Sequence, residues 1–417
     1  MTTIDDRPDL APAAVEPSRR ERIRLVLVLG ALIALGPLTI DMYLPALPRI
    51  TDDLLTTPAA VQLTLTGTLL GLALGQLVIG PVSDAIGRRR PLLWGIGLHV
   101  LASLLCVIAP NIATLGVLRV VQGVGAAAAA VVAMAVVRDL FSGDTLAQLF
   151  SRLMLVMGAA PVLAPTLGGE LLRWTDWRGV FVTLAVMGLA LVALAAVGLK
   201  ETLPPERRRR GGVAGTARTY AALFRDRTYV GLVLVAGFTM AALFAYVSGS
   251  SFVLQGQYGL DEQQFGLAFG AGAAALITAT QLNVRLLRRW TSAQILVVAM
   301  AGGSVAGLVL LTFAVTGFGG IAGVLVPLWA VLAAAGLSFP NAPALALSRH
   351  GEAAGTAAAL LGAVQFGIGA LAAPLVGVLG TGAAAMAVVV AGGMVLATAV
   401  LLVVVRGARV EPALATA

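Results

Sequence analysis

Charge is scarce in this sequence. Only 12% of the 417 residues are Asp, Glu, Lys or Arg, while 59% are hydrophobic and mean hydropathy is +0.95. A water-soluble protein carries about 25% charged residues. This chain therefore cannot cover a water-facing surface, and the two or three soluble domains its length would allow are excluded. Cysteine is nearly absent: Cys106 stands alone in an apolar run, so there is no intrachain disulfide and no thiolate site. Histidine is limited to His99, read as a packing residue of the third run, and His350, read as a cytoplasmic loop residue. Paired carboxylates, metal-spaced His/Cys sets and nucleophile triads are lacking. An enzyme is not expected, and neither a metal nor a cofactor is implied. A phosphate-binding loop is lacking too: VQGVGAA lies within an apolar run with no preceding strand.

What is present is a series of twelve apolar runs of spanning length, about 20 residues each. They fall near 23–45, 60–82, 91–109, 113–137, 147–171, 178–199, 229–254, 264–284, 292–315, 319–340, 354–378 and 383–405. The runs do not alternate apolar with polar, which predicts transmembrane helices rather than a barrel. The 49 glycines fit helices that pack closely in a bilayer. The fold class expected is an all-α integral membrane protein of twelve helices.

The net charge of +8 does not point to nucleic acid, because the basic residues lie in short clusters between runs. With the N-terminus inside, 24 Arg and Lys fall in inner segments, three (Arg49, Arg173, Arg178) fall in outer loops, and Arg119 lies within the fourth run. That bias predicts both termini in the cytoplasm. Residues 1–22 read as a disordered tail, 23–199 as one six-helix half, 200–228 as an Arg-rich linker, 229–406 as a second half and 407–417 as a tail. Two halves of equal size suggest a parallel repeat with a substrate site between them near the midplane.

Two ionisable residues lie well inside the runs. Asp41, in LTIDMYLPALP, is the only one of the 20 acidic residues so placed; Glu170 comes nearest, at a run's end. A carboxylate costs several kcal/mol in a bilayer unless it pairs, protonates or faces water. Such a residue marks a proton-linked transporter. Arg119 shares one helical face with Gln122, Gly123, Ala126 and Ala130, a face suited to burial against protein. An intramembrane Asp and an intramembrane Arg invite pairing, direct or through water or substrate. In the second run Gly67, Gly71 and Gly75 share a face, read as ordinary close packing. In the fifth, Pro161 and Pro165 share a face with Gly168 at helical spacing, and Gly169 follows; the prolines bend the helix.

The second run ends in GPVSDAIGRRRPLL. Gly80, Asp84, Gly87, Arg88 and Arg89 resemble the signature loop of the major facilitator superfamily, with Ala85 where the family has Arg and Val82 where it has Leu. The resemblance implies a cytoplasmic charge cluster of Asp84, Arg88 and Asp139 that latches one state, loosened by the Arg missing at 85. RVVQG matches the family's fourth-helix motif, which implies a proton-coupling role for Arg119. APVLAPTLGG resembles the antiporter signature at Pro165, Gly168 and Gly169, with alanines at 160 and 164 in place of glycines. LTIDMYLPALP, RVVQG, VVRDLF, APVLAPTLGG and LFAYVSGSSFVLQGQYG together resemble the Bcr/CflA (bicyclomycin/chloramphenicol resistance) branch of drug:proton antiporters.

The resemblance implies a monomer in the bacterial inner membrane that exports small amphipathic drugs against a proton gradient. Its partners are then the drug, protons and the lipid bilayer. A metabolite importer or exporter on the same fold is the alternative. Met42, Tyr43, Gln122, Phe244, Tyr246, Phe252 and Gln255 are the candidate pocket residues. Asn341, between Pro340 and Pro343, is a further pocket candidate, expected to break the tenth helix and line the cavity.

Overall fold

The computed structural model describes residues 19–141, 143–208, 220–348 and 354–414. Most of the expected N-terminal tail, the middle of the linker and His350 lie outside them. Twelve long helices follow one another: α1 (Arg19–Asp41), α2 (Pro58–Ile86), α3 (Arg89–Val107), α4 (Ile112–Leu140), α5 (Gly143–Leu171), α6 (Arg178–Gly198), α7 (Arg227–Ser251), α8 (Glu262–Leu286), α9 (Ser292–Thr316), α10 (Gly320–Leu347), α11 (Ala354–Leu379) and α12 (Ala383–Leu414). Among the described residues eleven segments are long and apolar enough to cross a membrane, and α5 occupies the fifth apolar run. No strand occurs among the described residues.

Local chemistry sets the helix ends. Thr57 accepts from the Ala60 N–H and Asn111 from the Thr114 N–H, capping α2 and α4. Asp261 with Gln264 and Thr291 with Gln294 form reciprocal capping boxes on α8 and α9. α1 begins at Arg19, ahead of the apolar run, and α12 runs on to Leu414. Arg is a good helix former, so a helix need not stop where the apolar residues stop.

α1 ends at Asp41 itself. A turn and a 3-10 segment, Leu44–Ala46, follow, and the chain then resumes as a short helix, Leu47–Asp53. The first membrane segment is thus discontinuous at the carboxylate. α10 behaves otherwise. It is continuous from Gly320 to Leu347 with Pro327, Pro340 and Pro343 inside it, which corrects the expectation of a break at Asn341. A side chain fills the bonding gap that Pro340 leaves: Thr280 of α8 donates to the Gly336 carbonyl (2.9 Å), four residues before it.

The packing has an internal period. α1 packs on α4, α5 and α6, and α7 on α10, α11 and α12. α2 packs on α4 and α8 on α10; α3 packs on α4 and α6, and α9 on α10 and α12. Each of these pairings among the first six helices recurs six helices later. Two extensive seams join the sets, α2 with α11 and α5 with α8, and they exchange under the same shift.

Candidate functional site

Arg119 is fully buried on α4. Its Nη1 donates to the Thr39 carbonyl (3.0 Å) and to Gln122 Oε1 (2.6 Å). The guanidinium lies 4.5 Å from the centre of the Tyr43 ring and 5.7 Å from that of Phe181, a cation–π pairing. Tyr43 in turn shares a 3.0 Å hydroxyl contact with Thr64. Nε and Nη2 are buried without a partner among the described residues.

Asp41 is 5% exposed, and no described residue hydrogen-bonds or ion-pairs its carboxyl. It is within electrostatic reach of Tyr246 on α7. Arg119 and Asp41 are thus both sheltered, both short of partners, and not paired with each other. What links them is the Thr39 carbonyl, two residues before Asp41.

The pocket candidates divide between the helix sets. Met42, Tyr43 and Gln122 are buried with Arg119, and Met42 packs its backbone against Gly168. Tyr246 stacks on Phe269 (4.9 Å between centroids), and Phe244 lies 6.1 Å from Phe366. Phe252 and Gln255 belong to a π-helical turn, Phe252–Gln257, that follows α7. Gln255 reaches across the sets to the Pro45 carbonyl at 3.3 Å. Asn341 is held by Asn283 (2.6 Å) inside the second set.

The turn between α2 and α3 is built around Arg88. It binds Asp139 (2.8 Å), Asp84 and Ser83 (2.9 Å). Burial works against its charge, but the hydrogen bonds it donates to Asp139 and Asp84 more than offset this and raise its pKa. Glu201, which the sequence reading missed, accepts from the backbone N–H groups of Arg88 (2.7 Å), Arg89 (3.2 Å) and Leu203 (3.1 Å). Partial burial opposes its charge, yet these N–H groups and nearby Arg208 hold its carboxyl below the usual range. Arg89 donates to the Ala196 and Leu199 carbonyls at the end of α6. Gly87 has φ +101°, and a Cβ there would sit 2.5 Å from a Glu201 oxygen, so only glycine fits. Gly80 faces open space.

At the other end of the bundle the contacts cross between the sets. Arg49 of the short helix pairs with Glu262 of α8 (2.7 Å) and donates to the Leu172 carbonyl (3.0 Å). Gln263 donates to the Gly169 carbonyl (3.0 Å), and a Cβ on Gly169 would meet the Glu262 carbonyl at 2.5 Å. Pro161 and Pro165 lie inside an unbroken α5. No ion pair joins the sets at the Arg88 end among the described residues.

Residues 29–374 match the description of the Major Facilitator Superfamily. The chain is 40% identical to the uncharacterized MFS-type transporter YdgK of Bacillus subtilis (strain 168), over 85% of this chain and 89% of that one. It is 34% identical to a bicyclomycin resistance protein homolog of Haemophilus influenzae, over 83% and 87% of the two chains. The fold is similar to that of a D-xylose-proton symporter at a TM-score of 0.72 and 16% identity, covering 93% of this chain and 97% of that one.

Proposed function

The chain belongs to the Major Facilitator Superfamily, a family of transporters, and from that premise we propose that it is a proton-coupled exporter of small amphipathic drugs. It works in the bacterial inner membrane. The observation that carries the reading is Asp41: a sheltered carboxyl with no partner among the described residues, at the point where the first membrane helix breaks off. The similarity to a bicyclomycin resistance protein homolog supports drugs of the bicyclomycin or chloramphenicol kind as cargo.

Both termini face the cytoplasm, as the excess of inner Arg and Lys favours. The Arg49 end is then the outer end, and the state described here is closed outside. Protons arriving from outside neutralise Asp41. Opening to the inside releases the proton and admits the drug, and the two six-helix sets rock about the site between them. An approaching cation, Arg119 or a cationic drug, favours the charged form of Asp41, so that proton release and drug entry are linked. The wall beside Asp41 is aromatic, with Tyr246 and Phe269, which suits flat apolar cargo with few polar groups.

The test uses inside-out vesicles with an acid interior and a fluorescent reporter of the pH gradient. Candidate drugs are expected to dissipate the gradient with the wild type and not with Asp41→Asn. Equal dissipation by both would make Asp41 structural. No response in vesicles, together with drug uptake by intact cells, would favour the importer.

A further inference from the structure

His99 is fully buried on α3, and its hydrogen bonds fix its form. Its Nε2 lies 2.9 Å from Thr39 Oγ1. The Thr39 hydroxyl has a single hydrogen, and it goes to the Leu35 carbonyl at 2.6 Å. With that hydrogen placed there, Nε2 carries the ring hydrogen and donates, whereas the other tautomer would bury an Nδ1–H with no acceptor among the described residues. Nδ1 is left bare and has no partner among the described residues.

The same accounting runs on through the neighbours. Ser103 donates its one hydrogen to the His99 carbonyl at 2.7 Å, so it accepts from Gln122 Nε2 at 2.8 Å. That fixes the Gln122 amide, whose Oε1 faces Arg119 Nη1. Both Nη1 hydrogens are then used, on Gln122 and on the Thr39 carbonyl. Arg119, Gln122, Ser103, His99 and Thr39 close a ring across α1, α3 and α4. Every member is buried.

We propose that His99, as the neutral Nε2–H tautomer, is a positioning residue for Arg119. The ring fixes the Nη1 corner of the guanidinium and leaves Nε and Nη2 as its free edge. That edge is the fork that takes a planar, two-oxygen acceptor. The ring also pins Thr39, and with it the end of α1 that carries Asp41. His99 then holds no proton in transit; it decides which edge of Arg119 is offered. The proposal rests on Arg119 belonging to the transport machinery.

Two measurements on the purified full chain test it. The chain has only two histidines, so imidazole nitrogen resonances of ¹⁵N-histidine protein can be assigned with His99→Gln. A fixed Nε2–H tautomer is expected for His99, and an Nδ1–H form or an exchanging mixture would overturn the ring. In proteoliposomes, His99→Leu and Ser103→Ala should each lower the maximal rate of drug-driven proton movement by about tenfold, since each leaves a buried polar partner unpaired. The drug concentration for half-maximal rate should stay the same. His99→Gln returns an N–H donor and should recover most of the rate. If His99→Gln falls as far as His99→Leu, or if His99→Leu matches the wild type, the positioning role is wrong. A wild type that moves no protons would defeat the exporter reading, while the tautomer measurement would still decide the ring.

Discussion

The two six-helix sets share one packing scheme and differ in what they bury. In the first set the polar interior holds charge: Arg119 on α4, Asp41 at the end of α1, and the amide, hydroxyl and imidazole groups around them. In the second it is neutral. Asn341 pairs with Asn283, Ser338 lies 3.5 Å from Thr239, and Thr280 serves the Gly336 carbonyl. Thr280 serves the carbonyl that Pro340 leaves bare, and the neutral side-chain pairs hold helices together. Besides Asp41, the charged set holds most of the buried groups that lack a partner among the described residues: Arg119 Nε and Nη2, His99 Nδ1 and Gln62 Oε1, against Trp329 Nε1 in the second. A repeat whose halves were both fully satisfied would be a stable bundle with nothing to bind. In the proposed mechanism one half supplies titratable chemistry and the other an aromatic wall.

The sharpest way to break this comparison is to make the same kind of change in each half. Arg119→Lys cannot reproduce two charge-assisted bonds worth about 1.5–3 kcal/mol each. Drug-driven proton movement should fall by about a hundredfold or more. Asn341→Ala leaves the Asn283 oxygen unpaired and should lower stability by about 1–3 kcal/mol, seen as thermal unfolding in detergent, with proton linkage intact. Equal losses of coupling from both would mean that the division of labour is wrong.

A smaller effect is expected at the outer seam. Gly169→Leu drives a side chain into the Glu262 carbonyl, against backbone that cannot swing away. The Arg49 end should then open more often. A thiol reagent should label Gln255→Cys about fivefold faster in the Gly169→Leu background, the factor that about 1 kcal/mol gives. Background labelling is low because Cys106 is buried. Unchanged labelling would mean that this seam does not hold the end shut.

The smallest effect concerns the opposite end. The Glu201 carboxyl is held below its usual range, so its contribution is complete above the ordinary glutamate value of 4.5 and is lost as pH falls through the lowered one. Protection of the Arg88 and Arg89 amides against hydrogen exchange, relative to the free-chain rate at the same pH, should fall on such acidification in the wild type. In Glu201→Gln protection should be lower throughout and lack that acid step. An acid step of the same size in both proteins would remove Glu201 as the clamp.

The helices were legible in the sequence, because hydrophobic run length is a local property and the bilayer sets its scale. Asp41 and Arg119 were legible because a charge in such a run stands out. The ring around Arg119 was not: Thr39, His99, Ser103 and Gln122 come from three helices, and a buried hydroxyl in an apolar run looks like any other small residue. The charge missing at Ala85 suggested a loose latch. The chain instead fastens that turn with Glu201, more than a hundred residues downstream, which no local pattern could reveal. The α10 prolines misled for the same reason, since Thr280, which compensates for Pro340, sits on α8.

The two seams joining the helix sets have a further consequence. Shifting α2 with α11 by six helices gives α8 with α5, so each set presents the same two positions in its order to the other. In the language of assemblies the junction is isologous, the form found between two identical subunits. The N-terminal set therefore carries, in outline, a surface complementary to its own kind. The polypeptide reads as a dimer fused into one chain, after which its two protomers became free to diverge.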